Sequence, residues 1–220
     1  TAADRAAEEA IRAILTPERP DDGVYGEEFP PLPTKNGRTW VLDPIDGTRG
    51  FICGLPTWGV LMAMTDGDTP VLGMMAQPFV GERFYATGAG AFHAWSRGVE
   101  PLKTRRCASI SEAIVACTSL DHYDEAMREA MVRLSKKVRM VRYGTDCYAY
   151  AMLAAGHVDV VVETGLKPYD IAPFVPLIEQ AGGAIFDRHG APIGNTLLKG
   201  YGGDGLAVGD PSLKDALLAA

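Results

Sequence analysis

Residues 39–51 read Thr-Trp-Val-Leu-Asp-Pro-Ile-Asp-Gly-Thr-Arg-Gly-Phe. Trp40, Val41 and Leu42 form an apolar run of the kind that makes a short buried strand, and the run stops at Asp43-Pro44. A second acid, Asp46, then Gly47 and Thr48 follow at once. Pro44 fixes its own backbone and restricts Asp43 before it. Gly47 lets the chain turn where a side chain would obstruct it. Two carboxylates therefore stand on a stiff turn just off a strand. Like charges held that close need compensation, and a hard cation with oxygen ligands, Mg²⁺ above all, supplies it. The competing reading is an acidic surface turn, since Asp, Pro and Gly are ordinary turn residues. The stretch by itself does not separate the two.

The 220 residues are 47% hydrophobic and 22% charged, enough apolar material for one domain or two tightly packed ones. A net charge of −7 argues against a general nucleic-acid binder. An acidic protein that handles an anionic substrate must find local positive charge, and a bound metal provides it. No apolar run has the length of a membrane span, and no signal-peptide pattern is present. Cys53, Cys107, Cys117 and Cys147 are scattered without CxxC pairing, so reduced thiols and a cytoplasmic location are expected. The chain opens with Thr1 in a motif-like stretch, and a preceding segment is expected to be absent from this sequence.

Upstream of the central stretch, Ala7, Ala10, Ile11, Ile14 and Leu15 recur at helical spacing and predict a helix over 4–15, with Asp4 at its start as an N-cap or dipole charge. Residues 16–38, rich in Pro, Gly and charge, read as loop, with Gly26-Glu27-Glu28 inside it. Downstream, apolar runs at 58–64, 71–77 and 83–87 predict antiparallel strands joined by short turns, with 88–94 as a further hairpin arm. From about residue 110 the pattern alternates. Strands are predicted at 113–118, 141–143, 158–162, 184–186 and 206–208, and helices at 124–138, 147–155, 171–180 and 211–218. Pro176 inside 171–180 predicts a kink or a late start. The expected division is 1–110 and 111–220.

Several chemistries are excluded. The chain has no P-loop, no GxSxG elbow and no cysteine followed by a phosphate-binding loop and Arg. His93, His122, His157 and His189 lack metal-ligand spacing and read as surface or structural residues. Acids remain: Asp4, Glu27, Asp43, Asp46 and Asp170.

Here the residues resemble a known family. WVLDPIDGTRGF resembles the signature of the inositol monophosphatase-like, Mg²⁺-dependent, Li⁺-sensitive phosphatases. Gly26-Glu27-Glu28 is similar to their GEE, Thr1-Ala2-Ala3-Asp4 to the end of their VTxAD segment, and Tyr169-Asp170-Ile171-Ala172 with Gly182-Gly183 to their WDxAA…AGG element. The four motifs stand in the family's order along nearly the whole chain. The resemblance implies the layered αβαβα sandwich of the inositol monophosphatase and fructose-1,6-bisphosphatase type, an α/β (α+β) fold, and a homodimer.

It also implies roles. Glu27, Asp43 and the carbonyl of Ile45 would hold one Mg²⁺, and Asp43, Asp46 and Asp170 a second; a third, weaker ion would sit near Glu27. Asp4 and Thr48 would orient and deprotonate the attacking water. Asp46 and the N–H groups of Gly47 and Thr48 would meet the phosphate, and Gly144, Thr145, Asp146 and Glu163 the rest of the substrate. Structural readings remain beside these: Thr48 and Asp170 as helix caps, Asp146 as an N-cap.

The run ETGLKPYDIAPFVPLIEQAGG, with DCYAYAMLAAGHVDVVV before it, is most similar to the histidinol-phosphate phosphatase branch. The expected substrate is histidinol phosphate, whose ammonium and imidazole suit Asp146 and Glu163. Inositol 1-phosphate is the alternative. A non-catalytic member of the family that binds a macromolecule is an alternative of another class.

Overall fold

The computed structural model describes residues 1–194 and 197–220. The strand-rich first half forms one sheet whose seven strands lie in chain order: β1 (Gly23–Gly26), β2 (Arg38–Asp46), β3 (Gly59–Asp66), β4 (Thr69–Gln77), β5 (Glu82–Thr87), β6 (Gly90–Trp95) and β7 (Gly98–Pro101). From β2 onward it is an antiparallel meander, as short turns between alternating apolar runs dictate. β1 alone runs parallel to its neighbour.

The second half builds a five-stranded mixed sheet from β8 (Ile114–Ala116), β9 (Met140–Arg142), β10 (Val160–Glu163), β11 (Ala184–Phe186) and β12 (Gly205–Val208), in the order β11-β12-β10-β8-β9. The helices are α1 (Ala2–Glu18), α2 (Thr48–Ile52), α3 (Glu125–Ser135), α4 (Tyr148–Ala154), α5 (Pro168–Ile171), α6 (Phe174–Ala181), α7 (Leu197–Gly200) and α8 (Lys214–Leu218).

Helix α6 is apolar on nearly every side because it lies between the sheets, touching β4, β5 and β6 on one side and β11 on the other. With α4 it fills the main core, where Met75, Phe84, Leu153, Phe174, Leu177 and Ile178 are fully buried. A second core clusters Met131 and Leu134 of α3 and Leu217 of α8 with Val115, Val160, Val162 and Val208 of the five-stranded sheet. Helix α1 packs along β2. The chain is thus the layered α/β fold expected.

Some local expectations needed correction. The first helix runs from 2 to 18, and its cap is the Thr1 hydroxyl, which accepts from the Ala3 and Asp4 N–H groups; Asp4 lies in the first turn. The span 16–38 is not all loop, because β1 zips onto β2 in register Gly23↔Thr39 to Gly26↔Leu42. β7 was not anticipated. The expected helix over 171–180 is two short helices that part at Ala172-Pro173. Pro176 sits in the first turn of α6, where a missing N–H costs nothing, so the late start holds.

Candidate active site

The sheet ladder explains how Asp43 and Asp46 meet. Side chains alternate along a strand, so residues three apart ordinarily face opposite ways. Across β2 and β3, Asp43 pairs with Leu61 and Asp46 with Gly59, so three steps on β2 match two on β3. The bulge at Pro44-Ile45 inserts one residue and brings both carboxylates to one face. Pro44 tolerates this position because a bulge needs one fewer ladder donor.

Carboxylate oxygens of Asp43, Asp46 and Asp170 lie within 4.8 Å of one another. Each acid is held by one main-chain N–H: Asp43 Oδ1 accepts from Ile45 (3.1 Å), Asp46 Oδ2 from Cys147 (3.0 Å) and Asp170 Oδ2 from Lys167 (2.7 Å). Asp170 therefore reaches back to the start of its own short helix rather than capping the next one. A second group brings Asp4, Glu27 and Glu28 within the same limit, and Glu28 is an acid that the sequence reading left out. Among the described residues none of Glu27, Asp43, Asp46 and Asp170 forms an ion pair with a Lys or Arg.

Protonation follows from this crowding. Burial, then Asp46, Asp170 and Glu27, push the Asp43 carboxyl well above the ordinary range. Burial and Asp170 do the same to Asp46. Burial raises Asp170, and burial with Asp170, Glu28 and Asp4 pushes Glu27 up to about 6. An all-oxygen, anionic donor set with no ion-paired Lys or Arg among the described residues fits a hard divalent cation.

Gly47 follows β2 in the left-handed region (φ 82°) and caps the start of α2. A Cβ there would stand 2.9 Å from the Asp146 Cβ and 3.1 Å from the Trp58 Cα, so both backbone and space require glycine. The Thr48 hydroxyl donates to the Ile45 carbonyl (3.1 Å) instead of capping the helix. Asp4 is buried, and its Oδ2 accepts from the Thr1 hydroxyl.

Next to the acids lies a cavity of about 200 Å³, lined by Asp46, Asp146, Cys147, Glu163 and Asp170, with Thr118 and His122. A cavity of similar size between α3 and α8 is lined by Met127, Met131, Leu134 and Leu217 with Arg133 and Arg188, and no Asp or Glu is among its described lining residues. The chemistry distinguishes them.

Asp146 does not cap α4. It takes a left-handed backbone (φ 44°), and its Oδ2 accepts from the Thr57 hydroxyl (2.6 Å). Glu163 is buried, and Thr118 donates to its Oε1 through both N–H and hydroxyl. Burial raises the Glu163 carboxyl to about 8; the two Thr118 bonds oppose the rise and Asp146 adds to it. Gly144 donates its N–H to the Thr118 carbonyl (2.9 Å), and the buried Thr145 Oγ1 has no partner among the described residues.

Sequence reasoning missed Thr118, His122, the Cys147 N–H and Glu8. Glu8 is buried, bonded to Arg12 Nε (2.7 Å) and to the Glu28 N–H (2.8 Å), and so grips the turn that carries Glu27. The spacing Asp4…Glu8 on one helix face was the one available signal for it.

A family model described as the inositol monophosphatase family matches residues 1–220. A bifunctional chloroplastic phosphatase of Arabidopsis thaliana is 43% identical over 192 residues, 86% of this chain and 55% of that protein. The chain thus spans little more than half the length of that relative. A histidinol-phosphatase of Chlorobaculum parvum is 38% identical over 86% of this chain and 73% of its own. The structure of an inositol monophosphatase from Zymomonas mobilis superposes with a TM-score of 0.88 at 39% identity, covering 98% of this chain and 81% of that one.

Proposed function

The chain belongs to the inositol monophosphatase family, and from that premise we propose that it is a Mg²⁺-dependent phosphomonoesterase that hydrolyses histidinol phosphate to histidinol. The observation that carries the reading is the convergence of Asp43, Asp46 and Asp170, which form no Lys or Arg ion pair among the described residues, beside an acid-lined cavity.

In this reading Glu27, Asp43 and the Ile45 carbonyl hold one Mg²⁺, and Asp43, Asp46 and Asp170 hold a second. A third, weaker site lies near Glu27. When bound, such ions offset charge on the phosphoryl oxygens and acidify water. The chain's own groups do the rest. Thr48 and Asp4 orient the attacking water and take its proton. The first N–H groups of α2, which have no partner within the helix, receive phosphate oxygens. The rigid bulge holds these parts in register, and phosphoryl transfer needs positioning above all.

The leaving alcohol occupies the cavity between Asp46 and Glu163. Asp146 and Glu163 line it, with Gly144 and Thr145 in the turn that leads into Asp146, and the two carboxylates favour a leaving group that carries an ammonium and an imidazole. The Chlorobaculum relative's name supports this choice. Inositol 1-phosphate is the second reading, favoured by the Zymomonas structure. The proposal extends to a cytoplasmic homodimer with reduced thiols, and all four cysteines are free.

Phosphate release with Mg²⁺ on both esters tests the substrate. We expect kcat/KM to favour histidinol phosphate by about tenfold or more; a preference for inositol 1-phosphate overturns the choice. Asp43→Asn should lower Mg²⁺-dependent turnover by roughly 10³-fold or more while the protein remains folded. Undiminished turnover in that variant refutes the metal assignment. No turnover of any phosphomonoester by the wild type would favour a non-catalytic binding role.

A further inference from the structure

We propose that Thr118 is a positioning residue for substrate selection: it clamps one oxygen of Glu163 and the turn at Gly144–Asp146, so that the other oxygen of Glu163 faces the leaving alcohol. The inference rests on the proposed reading of the acid-lined cavity as the alcohol site.

Thr118 lies two residues past the end of β8, and Glu163 ends the neighbouring strand β10. Three polar groups of Thr118 are committed. Its N–H (2.5 Å) and its hydroxyl (2.8 Å) both donate to Glu163 Oε1. Its carbonyl accepts the N–H of Gly144 (2.9 Å). Glu163 is only 7% exposed, yet its Oε2 is not among the buried side-chain atoms that lack a partner. No hydrogen bond to Oε2 is present among the described residues, so that oxygen opens onto the cavity.

A glutamate rotates readily about its last torsion and can offer either oxygen. Two donors on Oε1 remove that freedom, and the β-branched threonine is itself stiff at χ1. The same donors favour the ionised carboxylate against the cost of burial. One residue thus sets the orientation of Glu163 and its distance from the 144–146 turn, which carries Asp146 into the same cavity. Such preorganisation strengthens binding by removing an ordering cost.

The test is a double-mutant cycle. Steady-state kcat and KM are measured for wild type, Thr118→Val, Thr118→Ser, Glu163→Ala and the Thr118→Val/Glu163→Ala pair. The substrates are histidinol phosphate, inositol 1-phosphate and p-nitrophenyl phosphate, whose leaving group carries no hydrogen-bond donor. Thr118→Val keeps the shape and the main-chain N–H but loses the hydroxyl.

We expect it to raise KM about tenfold for the preferred polar ester with kcat within about threefold, and to leave p-nitrophenyl phosphate unaffected. Serine should restore wild-type behaviour. In the Glu163→Ala background the valine should change KM by less than about twofold, because its effect passes through the absent carboxylate. Equal losses on all three esters, additive effects in the cycle, or no effect of valine would overturn the proposal. So would polar substrates that ignore Glu163→Ala. A wild-type preference for inositol 1-phosphate would remove the histidinol reading alone, and the cycle would then be read on that ester.

Discussion

Asp46 and Glu27 are each held in place by partners distant in sequence, and nothing in the residue type of either partner shows that role. The Cys147 N–H fixes Asp46 from 101 positions downstream. Glu8 fixes the Glu27 turn from α1 through the Glu28 N–H, 20 residues away. The acids themselves were legible because two carboxylates on a Pro-Gly turn make a chemical anomaly in sequence. Their supports were not, since a main-chain N–H leaves no trace in composition and a helical Glu looks like solvated surface. Glu8 is fully buried, so removing it strands the Arg12 guanidinium and the Glu28 N–H. Glu8→Ala should cost about 3 kcal/mol in urea unfolding and weaken divalent-cation affinity measured by calorimetry. A variant as stable as wild type would show that Glu8 does not support the turn.

At the level of elements, legibility depended on how many residues shared the signal. The meander was plain because β3, β4 and β5 each alternate between buried and less buried positions over six or more residues and short turns separate them. β1 has four residues, two of them glycine, and it pairs in parallel with a strand it can recognise only in three dimensions. The bulge in β2 was invisible as a bulge, although Pro44 announced a break.

The contact of α6 with β4 was equally unreadable, since it turns on the space at one glycine. A Cβ at Gly73 would fall against the Pro173 carbonyl group, 2.7 Å from its carbon. Backbone cannot yield as a flexible side chain does. Gly73→Ala should therefore destabilise the protein by about 1–3 kcal/mol in thermal unfolding, by forcing α6 off the sheet. Unchanged stability would mean that the helix has room to move, and that the two sheets are not as rigidly spaced as α6 implies.

Across the whole molecule, the acid cluster couples folding to pH and to divalent cations. Asp43, Asp46, Asp170, Glu27 and Glu163 all have pKa values raised in the folded chain, chiefly by burial. A carboxyl with a raised folded pKa binds more protons folded than unfolded. Its stabilising contribution is complete below the unfolded value and is lost as pH rises through the folded one. For Glu27 that window runs from 4.5 to about 6, and for Glu163 from 4.5 to about 8. In the presence of a chelator, Tm should therefore fall between about pH 5 and about pH 8. Asp124 and Asp210 have lowered values and act in the opposite sense, but only below the ordinary carboxylate range, outside this window.

A divalent cation that binds the folded chain alone offsets the loss by mass action. Because it binds ionised carboxylates in competition with protons, the rise in Tm on adding Mg²⁺ should be larger near pH 8 than near pH 5. Asp46→Asn removes one charge from the cluster without changing its shape, so its Tm in chelator should decline less steeply with pH and its response to Mg²⁺ should shrink. A wild-type Tm flat across the window in chelator, or a Mg²⁺ response independent of pH, would mean that these carboxylates are not held together in the folded protein as their geometry requires.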